Sequence, residues 1–159
     1  MPKIESFPHP PLLIKDLQEL NKEHFSKSAT SITYRDCADK IINENKDAIV
    51  VIDKKGIINI FNSEAERIFC HKKEDIQGKS LDILVPVEFR MLHRQYIQNY
   101  FSTGKPDGGI NKTLTVTAMK SDGTIFPAEV SLSRSDNTNN PFVLAIIRDI
   151  TESKKKDEE

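Results

Sequence analysis

The sequence has no tryptophan, two cysteines, six glycines and no long apolar run. Each scarcity removes a class of protein. Two thiols, Cys37 and Cys70, cannot build the disulfide framework of a small secreted domain, so the cytoplasm is the expected compartment and simple packing the expected role of both. The longest apolar stretches, Ala48 to Ile52 and Phe142 to Ile147, are strand-length and far short of a membrane span. Met1 to Pro11 contains no apolar h-region and is interrupted by Pro8, Pro10 and Pro11, so no signal peptide is expected. Charge of one sign is missing too. The 23 Lys and Arg nearly balance the 24 Asp and Glu, no basic patch dominates, and neither nucleic acid nor membrane is an expected partner.

Catalytic patterns are equally scarce. Gly108-Gly109 is not followed by a Lys-Ser or Lys-Thr pair at the spacing of a phosphate-cradling loop. Cys70-His71 is the one adjacent thiol–imidazole pair, but no further metal ligands stand beside it. Nothing identifies a base or an oxyanion site for a cysteine nucleophile. The many carboxylates suit a solvated surface better than a hydrolase pair. The expectation is a chain that is not an enzyme.

What is there is a patterned small domain with extensions. Residues 1–30 read as an N-terminal extension in which Pro11 to Phe25 forms an amphipathic helix, with Leu13, Leu17 and Leu20 on one stripe. Such a stripe buries itself against the domain or against a second copy. Residues 31–151 read as the domain, led in by a helix from about Ser31 to Asn43. Two strands follow, Ala48 to Asp53 and Ile57 to Asn62, joined by the turn Asp53-Lys54-Lys55-Gly56. Ser63, with Glu66 three residues on, predicts a capping box for the next helix. Short helical pieces are expected around Lys73 to Ile76 and Ser80 to Leu84.

The longest helix of the domain is predicted over Val87 to Phe101, closed by Gly104. His93 lies on its apolar face, one turn from Phe89 and one turn from Ile97. Three strands complete the domain. Leu114, Val116 and Ala118 alternate with threonines; Phe126, Ala128, Val130 and Leu132 share one side of the next strand after the Ser121-Asp122-Gly123 turn; Phe142 to Ile147 is apolar on both faces and so predicts cover above and below. Residues 152–159 read as the start of a charged connector helix, with Asp149 as its N-cap. The fold class is therefore α+β: a five-stranded antiparallel sheet with helices on one face.

Specific strings now meet a known family. DAIVVIDKKGIINIFNSEAERIF resembles the opening of a PAS domain, KSDGTIFPAEVSLS its central hairpin, and FVLAIIRDIT its closing strand and Asp-Ile-Thr exit. The resemblance covers about Ile41 to Thr151. It implies a sensory domain in signal transduction, of the kind found in two-component systems, coupled to a downstream signalling domain or partner protein; the amphipathic helix over Pro11 to Phe25 adds the expectation of a homodimer. VPVEFRMLHRQYIQNYFSTG is more specific. It resembles the corresponding helix of haem-binding PAS oxygen sensors of the FixL and Dos kind, in which a histidine ligates the haem iron, and His93 occupies the matching place.

That resemblance implies haem b as cofactor, His93 as its axial metal ligand, and gas sensing (oxygen, carbon monoxide or nitric oxide) as the activity. Ile97 and Tyr100 would line the helix side of the pocket, and Ile110, Leu114 and Ile147 the strand side, by alternation and by resemblance together. The oxygen sensors typically carry an arginine on the first strand after this helix. Here the candidates are Thr113 and Leu114, with Lys112 nearby, which implies a more apolar distal side. The reactive-cysteine string of flavin photosensors, Asn-Cys-Arg-Phe-Leu-Gln, is absent; the equivalent region reads CHKKEDIQGKSLDILVP. Two alternatives remain open: a PAS module that binds another small ligand, and one that serves homodimerisation and signal coupling alone.

Overall fold

The turn Asp53-Lys54-Lys55-Gly56 folds β1 (Ala48–Asp53) back onto β2 (Ile58–Phe61). Gly56 has φ +78°, the left-handed region that a side chain disfavours, and its N–H bonds the Asp53 carbonyl at 2.9 Å. The Asp53 carboxylate accepts from the Lys55 and Ile57 N–H groups at 2.8 and 3.0 Å, which fixes the turn from within. These coordinates are a computed structural model in which residues 33–104, 113–135 and 139–158 are described. The predicted helix over Pro11 to Phe25 lies outside the described residues. The chain divides into two compact units, Met1–Ile41 and Ile42–Glu159. In the first, α1 (Tyr34–Glu44) begins; the Thr33 hydroxyl accepts the Asp36 N–H at 3.1 Å and caps it.

In the second unit the helices follow β2 in the expected order: α2 (Ser63–Phe69), α3 (Lys73–Ile76), a 3₁₀ turn at Leu81–Leu84, a second at Val87–Phe89, and α4 (Arg90–Thr103). Then come β3 (Leu114–Met119), β4 (Ile125–Arg134), β5 (Phe142–Asp149) and α5 (Thr151–Glu158). The five strands form one antiparallel sheet in the order β2-β1-β5-β4-β3. The β3–β4 turn is closed by Asp122, which accepts the Thr124 N–H at 2.9 Å, and by Gly123 at φ +85°.

Several local expectations need correction. The cap of α2 is Asn62, not a Ser63–Glu66 box: Asn62 accepts the Ala65 N–H at 3.0 Å, and Glu66 reaches forward to the Lys73 N–H at 3.0 Å, tying α2 to α3. The helix predicted from Val87 starts as a 3₁₀ turn after Pro86, and its α-helical part runs from Arg90 two residues past Phe101. Asp149 remains in β5, and its carboxylate receives the N–H and hydroxyl of Thr151 at the first turn of α5. Both cysteines are exposed rather than packed. Phe142 and Ile146 are also exposed, so β5 is buried on the face of Val143 and Ile147 and not on both.

The register sets out the inner face. One row runs Ala48–Ile147–Val130–Leu114 across β1, β5, β4 and β3; the next runs Val50–Ala145–Leu132, and a third Ile52–Val143–Arg134. At the α2 and α3 end this face is filled. Ala65, Ile58 and Ile76 are fully buried there, and Phe69 stacks against both Phe61 and Phe126 with centroids 6.0 and 5.5 Å apart. Under α4 it is hollow.

Candidate functional site

Why α4 leaves a hollow follows from its composition. Of its fourteen residues only Tyr100 is buried. Arg90, Arg94, Gln95, Gln98 and Asn99 alternate with His93, Tyr96 and Ile97, so the apolar stripe is narrow and cannot fill the space beneath it. Polar ties hold the helix instead. Arg90 donates to the Val85 carbonyl at 3.0 Å, and Arg94 is ion-paired with Asp82 on the first 3₁₀ turn. At the other end Gly104 is left-handed at φ +69°, and its N–H closes on the Tyr100 carbonyl at 2.8 Å.

The hollow is a cavity of about 470 Å³ between α4 and the inner sheet face, inside the roughly 300–1,000 Å³ range of small-molecule sites. Its wall is mostly apolar. Five residues singled out from the sequence line it: His93, Ile97 and Tyr100 from α4, Leu114 from β3 and Ile147 from β5. Ile110 lies outside the described residues. Sequence reasoning missed the contribution of β1 (Val50, Ile52), of β4 (Ala128, Val130, Leu132) and of the 3₁₀ turns (Leu81, Leu84). The alternation on β4 was the signal that could have found three of them. Leu114, not Thr113, takes the wall position, and no arginine lines the cavity among the described residues.

His93 is the chemically distinctive group. Its Nδ1 is buried without a hydrogen-bond partner, the kind of group that is ordinarily satisfied in a native fold. Burial pushes its pKa down from 6.5, with the Asp82 carboxylate opposing, so the imidazole is held neutral and keeps a lone pair. Burial also pushes the Tyr100 hydroxyl upward, against the nearby Arg134 charge. His71 is the contrasting case. Its Nε2 is likewise buried and unpartnered, and burial and then Lys79 lower its pKa, but it stands after α2 and outside the cavity wall. Among the described residues no group of three or more His, Cys, Asp or Glu is placed to hold a bare metal ion.

Comparison with known proteins agrees with this architecture. The family model described as PAS domain matches residues 46–152. The sensor protein FixL of Bradyrhizobium diazoefficiens is 35% identical over 113 residues, covering 70% of this chain and 22% of that protein. The oxygen sensor protein DosP of Escherichia coli K12 is 28% identical over 109 residues, covering 68% of this chain and 13% of that protein. The chain thus spans less than a quarter of the length of these relatives. The crystal structure of a PAS domain from Colwellia psychrerythraea superposes with a TM-score of 0.59 at 27% identity, covering 73% of this chain and 96% of that one.

Proposed function

The chain belongs to the PAS domain family, and from that premise we propose that it is a sensory signalling module whose ligand is haem b, bound in the cavity under α4 with His93 as axial ligand. The observation that carries the reading is the His93 imidazole: neutral, half-buried, with a buried Nδ1 that lacks a partner, and on the wall of an apolar cavity. Neutral imidazole is a good iron ligand, and a flat macrocycle suits a slot between a helix and a sheet. Ile97, Tyr100, Leu114 and Ile147 would pack on its faces, with Ile110 as a further wall residue. The group, when bound, supplies reversible binding of oxygen, carbon monoxide or nitric oxide. The resemblance to the FixL and DosP sensors supports the same assignment.

The chain's own residues supply the rest. The inner face presents apolar Leu114, Val130, Leu132 and Ile147, side chains that would exclude water from a bound gas. Occupancy of the cavity biases the position of α4 over the sheet, and only a ligand that favours one position can shift the population. The last strand bordering the cavity is β5, which runs through Asp149 directly into α5. The output leaves by that junction, toward a downstream signalling domain or protein of the cytoplasm. A second copy of the chain is the other proposed partner, since Phe142 and Ile146 present apolar surface on the outer face. No helix among the described residues is long and apolar enough to cross a membrane.

The test is an absorption spectrum of the purified chain titrated with haemin. A sharp Soret band at one equivalent, lost in His93→Ala while the circular dichroism stays unchanged, is the expected result. A broad band that is the same in both proteins overturns the haem assignment and leaves the cavity to another small ligand.

A further inference from the structure

The third inner-face row ends on a charge. Across β1, β5 and β4 it reads Ile52, Val143, Arg134, and Arg134 is half-buried. A guanidinium on the apolar side of a sheet is costly unless its donors are used. Here Nη1 donates to the Phe101 carbonyl at 2.8 Å, across 33 residues of sequence. Phe101 is in the last turn of α4, where carbonyls lack helical partners and the helix dipole is negative. The same guanidinium lies close against Gly104. A Cβ at that position would stand 2.6 Å from Nη2 and 2.8 Å from the guanidinium carbon. Two features of the sequence thus converge: a cation at the end of β4, and a residue without a side chain after α4 that lets the cation reach the helix end.

The other ties of α4 act differently. Arg90 and Arg94 bind Val85 and Asp82, which belong to the segment just before the helix and not to the sheet. The N-terminal half of α4 is loosely packed, with Met91 74% exposed and Leu92 and Tyr96 nearly half exposed. Arg134 reaches the helix from the sheet itself, two residues beyond the cavity residue Leu132 and beside the cavity residue Tyr100.

We propose that Arg134 is the positioning residue of the cavity: it pins the C-terminal end of α4 to β4 and so fixes how far His93, Ile97 and Tyr100 stand from the sheet. This rests on the reading of the cavity as a ligand site, but not on the identity of the ligand. The pin has a second consequence. With one end of α4 tied to the sheet, any ligand that moves the helix swings its N-terminal half, whose ties from Arg90 and Arg94 run to the segment before it, and the load at the fixed end falls on β4 and its neighbour β5.

The experiment compares the full chain with Arg134→Met, which keeps the length and apolar stem, and with Arg134→Lys, which keeps the charge but not the fork. Hydrogen exchange followed residue by residue reads the pin without any ligand. In Arg134→Met the amides of residues 90–103 are expected to exchange about tenfold faster or more, as loss of a charge-assisted bond implies, while those of β1 and β5 stay unchanged. Arg134→Lys should fall between. The haemin titration then reads the consequence: a midpoint at least about fivefold weaker in Arg134→Met, partly restored in Arg134→Lys. Unchanged exchange in α4, or faster exchange spread evenly over helix and sheet, overturns the proposal. If the wild-type chain gives no His93-dependent band, the haem reading fails, and the exchange comparison still decides the pin.

Discussion

The side-chain oxygen of Asn62 accepts the Ile49 N–H at 2.8 Å, a buried bond between a helix cap and the strand two elements earlier. The same oxygen takes the Ala65 N–H, and the amide nitrogen donates to the carbonyls of Ile42 and Asp47 at 2.7 and 3.1 Å. One fully buried amide therefore satisfies four backbone groups at four places: the end of α1, the residue before β1, β1 itself, and the start of α2.

Asn62→Ala is expected to destabilise the domain by at least about 2 kcal/mol, because buried backbone groups lose their partners together. Urea denaturation followed by circular dichroism measures it. A loss below about 1 kcal/mol would show that water replaces the amide and that its role is smaller than the geometry implies.

Acid should weaken the fold through the histidines before it reaches the carboxylates. The folded pKa of His93, and of His71, lies below the ordinary 6.5. The unfolded chain therefore binds protons first as pH falls. The stability is whole above about pH 7.5, declines from there through 6.5, and levels off below the folded pKa values. Unfolding free energies at several pH values between about 7.5 and 5.5 should show this slope, and His93→Phe should make it shallower. An unchanged slope in that variant would mean that His93 titrates normally.

The cavity can be filled from the sheet. Ala145 lines it, pairs with Val50 on one side and Leu132 on the other, and points along the same row. Ala145→Leu directs its added apolar volume into the cavity and not into the packed cluster around Phe69, so stability should change by less than about 1.5 kcal/mol. Haemin affinity should fall about tenfold or more, as the new side chain competes for the slot. Unaltered affinity with unaltered stability would place the ligand elsewhere.

Leu114 stands where the cavity wall of β3 begins, and its apolar side chain offers no donor to a bound gas. Leu114→Arg is expected to raise oxygen affinity relative to carbon monoxide in the haem-loaded chain, because a guanidinium donates to a polar bound ligand and adds little for a weakly polar one. Paired gas titrations of wild type and variant measure the ratio. A ratio that does not move would put the Leu114 side chain out of reach of the gas.

The sheet was legible in the sequence because its alternation is local. Thr115 and Thr117 against Leu114, Val116 and Ala118 assign the faces of β3 without any tertiary knowledge, and Gly56 and Gly123 mark the turns where the backbone enters positive φ. The cap of α2 was not legible. Ser63 and Glu66 fit the pattern, but Asn62 wins because its amide can also serve Ile49, Ile42 and Asp47, partners distant in sequence. The cavity was half legible. Helical spacing put His93, Ile97 and Tyr100 on one face, yet Val130 and Leu132 read the same whether the space above them is filled or hollow. That difference comes from the polar composition of α4 and from the aromatic cluster of Phe61, Phe69 and Phe126 filling only the opposite end. Arg134 left no local trace, since its partner lies 33 residues away.

The first and last strands of the sheet, β1 and β5, lie side by side at its centre, with Ala48 facing Ile147. The backbone thus comes in and goes out at the same end of these two strands, and Asp47 meets Arg148 there at 3.2 Å. A polypeptide with such neighbouring ends behaves as a cassette: it can be spliced into a longer protein without forcing the host's flanking segments apart. It also tolerates rewiring in principle, with Ile42 bridged to Lys154 and a fresh opening cut between Ser121 and Gly123, because every strand keeps its partner.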